Sequence, residues 1–116
     1  MSYKIAVASS DGKVVNQHFG KATQFLIFEM EKNTYRFLEL LKTIPFCNSS
    51  EHDEDKLASA VDALAGCRAV CVSQIGSGAA EALRNKGIEP LDIHNFIEDA
   101  LKKILKYYAN IDKNLK

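Results

Sequence analysis

His18 stands in the polar stretch Val14-Val15-Asn16-Gln17-His18-Phe19-Gly20. Phe19 gives this stretch a ring to bury and Gly20 a permissive turn, which together would hold the imidazole at a fixed place on the surface. Histidine is the commonest side-chain ligand for transition metals near neutral pH. Cys47 and His52 lie five residues apart in Phe46-Cys47-Asn48-Ser49-Ser50-Glu51-His52-Asp53-Glu54-Asp55. A thiolate and an imidazole form a soft and borderline pair that suits iron–sulfur species, zinc or copper. Two ligands do not close a structural zinc site, and the same stretch also reads as the acidic first turn of a helix with an incidental thiol.

Two loops offer backbone chemistry instead. Gly76-Ser77-Gly78 precedes a helical segment and presents amides to an anion. It lacks the GxxxxGK[ST] continuation of a nucleoside-triphosphate loop, and close packing of strand on helix is the competing use of these glycines. Ser9-Ser10-Asp11-Gly12 is a tight polar turn at the end of a strand. Cys67 and Cys71 would lie about 13 Å apart on an extended chain, too far for a disulfide or a shared metal, so both read as small core hydrophobes. No serine or cysteine is marked as a nucleophile with its histidine and orienting group. A two-metal nuclease would need several carboxylates at strand ends, where only Asp11 and Asp92 stand.

The elements that must position these residues follow from periodicity. Lys4–Ala8 reads as a strand, Gln24–Glu29 and Tyr35–Leu41 as a hairpin about a turn at residues 31–34, and Ala69–Ile75 as a central strand covered on both sides. Ile88–Ile93 is a short edge strand, because Pro90 cannot donate to a ladder. Ser50 and Asp53 open a helix whose inner face is Leu57, Ala60, Val61 and Leu64, ending at Gly66. A second helix covers Ala79–Asn85 and stops at Gly87. Asn95 and Glu98 open the last, in which Phe96, Ile97, Leu101, Ile104, Leu105 and Tyr108 repeat at helical spacing. The expectation is one domain over residues 1–109 and a frayed tail over 110–116. The order β-β-β-α-β-α-β-α implies an α/β fold whose mixed sheet carries helices on its faces, with ligands at the carboxyl ends of the strands.

Composition sets the outer limits. The 116 residues carry 15 Lys plus Arg against 15 Asp plus Glu, a formal net charge of zero that gives no footprint for nucleic acid. Three cysteines, no signal peptide at Met1-Ser2-Tyr3-Lys4-Ile5 and no apolar run of bilayer-spanning length point to a cytoplasmic protein with reduced thiols and no membrane association.

Lys4-Ile5-Ala6-Val7-Ala8-Ser9-Ser10-Asp11-Gly12, with Val15-Asn16-Gln17-His18-Phe19-Gly20-Lys21-Ala22 and Phe25, resembles the dinitrogenase iron-molybdenum cofactor biosynthesis family. Pro45-Phe46-Cys47-Asn48, Glu51-His52-Asp53-Glu54-Asp55, Leu64-Ala65-Gly66-Cys67-Arg68-Ala69-Val70 and Ile75-Gly76-Ser77-Gly78-Ala79-Ala80 look most like its NifX branch. The resemblance implies a ribonuclease-H-like sheet of about five strands and a non-catalytic role. Such a protein binds, stores or transfers an iron–sulfur precursor or the iron–molybdenum cofactor as cargo between nitrogenase assembly proteins, its donor and acceptor, as a monomer or weak homodimer. His18 matches the family's cofactor-binding histidine, and Cys47 and His52 match positions of the NifX branch, which makes His18 and Cys47 the candidate metal ligands. Amides at Ser10, Asp11 and Gly12 and at Gly76, Ser77 and Gly78 would offset the negative charge of a sulfide-rich cluster. The rival expectation is a protein-interaction or regulatory domain with no metallocluster; a nuclease is suggested by the fold alone.

Overall fold

Continuous burial along Ile5–Ala8 and a partly alternating pattern along Gln24–Met30 mark two strands, β1 (Tyr3–Ala8) and β2 (Gln24–Met30), that pair antiparallel in the computed structural model, which describes residues 2–43 and 54–114. β3 (Tyr35–Lys42) closes the hairpin with β2, and β4 (Cys67–Val72) and β5 (Glu89–Asp92) add in parallel on the other side of β1. The sheet order is β3-β2-β1-β4-β5, mixed as the element order requires. Pro90 does sit on the edge strand, where its missing N–H costs no ladder bond.

Helices α1 (Glu54–Ala63) and α2 (Ser77–Asn85) cover one face through Ala60, Val61, Leu64 and Leu83, which pack on Ala6, Ala8, Phe25, Ile27, Val70 and Val72. Helix α3 (Ile97–Asn114) covers the other through Ile97, Ala100, Leu101, Ile104 and Tyr108, against Ile5, Val7, Phe28, Met30, Ala69 and Cys71. β1 and β4 therefore read as continuous apolar runs because both of their faces are buried.

Two bulges explain residues that defeat simple alternation. Between Ile27 and Phe28 the β2–β3 register slips by one, leaving Leu38 as the extra residue of β3, so that Phe37 and Leu38 face opposite sides of the sheet and Leu38 and Glu39 share one. In β4 the slip falls at Arg68, between the partners of Lys4 and Ile5, and it sends Cys67 to the α1/α2 face and Cys71 to the α3 face. Both thiols are buried and unpaired, in agreement with the core reading.

Four boundaries differ from the periodicity. β4 stops at Val72, and Ser73–Ile75 leaves the ladder to meet another loop. Helix α2 begins two residues early, taking Ser77 and Gly78 into its first turn. Phe96 is not part of the inner stripe: it precedes α3, bridges Val14 through the backbone and leaves its ring 60% exposed. Helix α3 extends past Asn110 to Asn114. Arg68 explains this extension by holding Asp112 through two bonds of 2.7 and 3.0 Å while stacking over Tyr108 at 3.8 Å and Tyr3 at 5.0 Å. The helix start expected at Ser50 and Asp53 lies outside the described residues.

Candidate functional site

The parallel pairing of β1 and β4 brings their exit loops side by side at one rim of the sheet. Ser9, fully buried at the end of β1, donates its hydroxyl to Asp11 Oδ1 at 3.1 Å and accepts the amide of Gly12 at 3.0 Å. Asp11 Oδ1 also accepts the amides of Lys13 at 2.8 Å and Val14 at 3.1 Å, and these bonds hold its carboxyl below the usual carboxylate range. Asn16 closes the loop, its Oδ1 accepting the Ser10 amide and its Nδ2 donating to Ser10 Oγ, both at 3.0 Å. Gly12 turns the chain at φ +75°. The amides of Ser10 and Gly12, expected to face an anion, are thus engaged by the loop's own acceptors. Ser10, Asp11 and Gly12 form a braced turn rather than an open nest of donors.

Beyond this turn the chain crosses the rim. The Val15 amide donates to Asn95 O at 2.9 Å, the Ser73 amide to Gln17 O at 3.1 Å, and the Phe19 amide to Gln74 O at 2.9 Å. His18 lies between the last two bonds as an isolated parallel bridge to Gln74. Its carbonyl accepts Lys21 N at 3.1 Å, which starts a single 3-10 turn over Phe19–Lys21. Phe19 is 1% exposed and tilts against Phe25 with ring centroids 5.8 Å apart, deep in the α1/α2 core. The main chain of His18 is therefore fixed on both sides while its side chain is exposed. Among the described residues the imidazole has no hydrogen-bond or ion-pair partner, so its ring nitrogens are available to an incoming metal.

Two residues past Gln74, Gly76 is the N-cap of α2 without a side-chain cap, and Gly76, Ser77 and Gly78 are exposed. The Gly76 carbonyl accepts the Ala80 amide at 3.0 Å, and the preceding amides of the first turn carry the unsatisfied donors common to helix starts. A Cβ at Gly76 or Gly78 would meet nothing within 4 Å, and neither residue has positive φ. Close packing of strand on helix therefore does not require these glycines.

Cys47 and His52 lie outside the described residues. Among the described residues no group of three or more His, Cys, Asp and Glu side chains converges to hold a metal ion, and none of the helices is long and apolar enough to cross a membrane. The buried thiols are poor ligands: burial pushes Cys67 up and Cys71 up to about 12, so neither supplies thiolate near neutral pH. The backbone clamp from Gln17, Ser73 and Gln74 was not legible in the sequence, since main-chain pairing leaves no signature in side-chain type.

A family model for the dinitrogenase iron-molybdenum cofactor matches residues 1–107. The chain belongs to that family. It is 41% identical over 103 residues to the FeMo cofactor biosynthesis protein NifB of Frankia alni, covering 86% of this chain and 20% of NifB. It is 35% identical over 91 residues to NifX of Azotobacter vinelandii, covering 78% of this chain and 56% of that one. Against NifX of Sinorhizobium fredii (strain NBRC 101917 / NGR234) the shares are 89% and 68%, at 29% identity. The chain thus spans about a fifth of the NifB relatives it matches and more than half of the NifX proteins, and within its family it is NifX-like. Among solved structures, PH0822 superposes with a TM-score of 0.67 at 24% identity over 89% of this chain and 88% of that one. A Thermotoga protein described as NifB superposes at 0.61 and 18%, over 90% and 88%. These two likenesses establish the α/β fold.

Proposed function

We propose that this NifX-like chain is a non-catalytic carrier that binds an iron–sulfur precursor, or the iron–molybdenum cofactor, at the β1/β4 rim during nitrogenase cofactor assembly. The observation that carries the reading is His18, a solvent-facing imidazole without a partner among the described residues, on a backbone clamped at both neighbours. An imidazole on a flexible loop would lose orientational freedom on every binding event; on this rim that cost is met by folding. The open first turn of α2 supports the reading, since Gly76 and Gly78 leave room for a bulky anion beside the helix amides. Cys47 and His52 supply further contacts in this proposal, and Ser10, Asp11 and Gly12 brace the loop that leads to His18.

A carrier has reason to use few ligands. A closed four-ligand site traps its metal, whereas one or two side chains and a few amides let the cargo pass to a protein that offers more. Donor and acceptor are accordingly cytoplasmic assembly proteins with better-closed sites. Anaerobic titration of the full chain with isolated iron–molybdenum cofactor, followed by absorbance and comigration on gel filtration, tests the reading. Cargo comigrates with the wild type and not with His18→Ala. Equal binding by His18→Ala removes the ligand assignment, and no binding by the wild type removes the carrier.

A further inference from the structure

On the face that α3 covers, the helix side of the core reaches β1, β4, β2 and Tyr35 at the start of β3, but β3 beyond Tyr35 is left open. Phe37 is 54% exposed and Leu40 45%, and Tyr35 precedes them on the same side. Phe28 props this strip from beneath, edge-on to Phe37 at 5.8 Å and to Tyr35 at 6.0 Å. Beside it runs a groove of about 440 Å³, lined by Lys32 and Asn33 of the β2–β3 turn and by Lys102, Lys103, Leu105 and Lys106 of α3. Lys102 meets Glu98 at 3.3 Å; Lys32, Lys103 and Lys106 have no carboxylate partner among the described residues. The other acids near this flank are Asp99, one helical turn before Lys102 and Lys103 and within electrostatic reach of Lys102, and Glu31 in the turn. Lys102 lies within electrostatic reach of Tyr35, so the basic flank and the apolar strip adjoin. A chain of zero formal net charge thus gathers four ammonium groups along one side of an uncovered apolar surface.

We propose that this surface docks an acidic amphipathic helix of a partner protein, its apolar stripe on Phe37 and Leu40 and its carboxylates on Lys32, Lys102, Lys103 and Lys106. From Tyr35 to Leu40 the strip spans four residue steps of the partner strand β2, about 13 Å, the length of roughly two and a half helical turns. A small anion would gain little from long, solvated lysine stems around an apolar floor, whereas a helix uses both features at once: burial supplies the affinity and the charges supply register and rate. The lysine flank lies toward the end of the sheet opposite His18, because the β2–β3 turn adjoins the start of β1 and His18 follows its end, while the strip runs from there along β3 to Leu40, level with Val7 and two strands away from β1. The inference stands independently of the carrier reading.

The test uses the full chain and a labelled peptide of about 18 residues with Leu at helical spacing and Glu on the flanks, beside a scrambled peptide of identical composition, read by fluorescence anisotropy. The patterned peptide binds with a salt-sensitive affinity about tenfold or more above that of the scrambled one, and both Phe37→Ser and the pair Lys102→Glu/Lys106→Glu weaken it about tenfold or more. Circular dichroism confirms that these exposed substitutions leave the fold intact. Absence of binding by the wild type, equal binding of the scrambled peptide, or indifference to either variant overturns the proposal. So does a concentration-dependent dimer in sedimentation equilibrium that Phe37→Ser disperses, which would make a second copy the occupant.

Discussion

His18 and Phe19 are neighbours with opposite duties, and replacing each by alanine separates them. Phe19→Ala removes a ring that is 1% exposed and packs on Phe25, Ala22 and the α1/α2 core. Loss of a buried Phe side chain costs about 3–5 kcal/mol, a large part of the roughly 5–15 kcal/mol that stabilises a domain. At about 4 °C per kcal/mol for a chain of this size, the midpoint of thermal unfolding falls by roughly 12–20 °C. His18→Ala removes a side chain that is exposed and unpartnered among the described residues, and its cost stays within about 0.5 kcal/mol. The chain has no Trp, so urea unfolding is followed by far-ultraviolet circular dichroism, with Phe19→Leu as the intermediate case. If Phe19→Ala costs less than about 1 kcal/mol, the ring is not the anchor of the loop. If His18→Ala costs as much as Phe19→Ala, the imidazole is a structural group, and the argument for a free ligand fails even should cargo binding also be lost.

Three further outcomes follow from the same geometry. Gly12→Ala forces an alanine to φ +75° and destabilises by about 1 kcal/mol or more, whereas Gly78→Ala enters a helical turn with open space around the new methyl and stabilises by up to about 1 kcal/mol; thermal unfolding of the two variants reads the opposite signs. Tyr108, buried and donating to Glu89 Oε1 at 2.7 Å, has its hydroxyl pushed far above the ordinary phenol range by burial first and by Glu89 second. The unfolded chain releases that proton first, near the ordinary pKa of about 10, so this contribution is complete below pH 10 and falls as pH rises above it; Tyr108→Phe flattens the alkaline limb of a stability–pH curve. Cys67 and Cys71 resist iodoacetamide near pH 8 in the native state and label only on unfolding, which mass spectrometry of the digested chain resolves site by site.

Much of this architecture is legible in residue type because the physical cause is local. The apolar runs of β1 and β4, the Pro on β5 and the inner stripe of α3 from Ile97 to Tyr108 each follow from one short segment and its burial. The anchoring role of Phe19 is legible for the same reason. What escapes is set by partners far away in sequence. Arg68 and Asp112, 44 residues apart, carry α3 past the point where its tail composition favours fraying. The exit of β4 at Val72 depends on Gln17 and Phe19 capturing the Ser73 amide and the Gln74 carbonyl. The internal bonding of the Ser10–Gly12 turn escapes for a different reason: glycine and serine imply free amides, and only the positions of Ser9 and Asn16 reveal that the amides of Gly12 and Ser10 are engaged within the loop.

The topology also bears on how a carrier of this kind would work. Parallel pairing of β1 with β4 gathers His18 and the first turn of α2 at one rim, and the antiparallel hairpin of β2 and β3 carries its lysine-bearing turn to the opposite end. On the carrier reading the rim must stay open to a bulky cluster, and a partner that docks along β3 and the lysine flank, two strands away from the β1/β4 rim, does not compete for the same surface. Holding a partner there raises the effective concentration of the rim around the partner's own site, and transfer then needs only exchange of one or two ligands rather than dissociation and a second encounter. A weak cargo site and a separate docking face are therefore complementary requirements. Loss of the lysine flank would slow delivery without weakening cargo binding, and loss of His18 would abolish loading without weakening docking. That double dissociation, measured as transfer rate against cargo affinity in the two variants, distinguishes a two-surface carrier from a protein that uses a single surface for both.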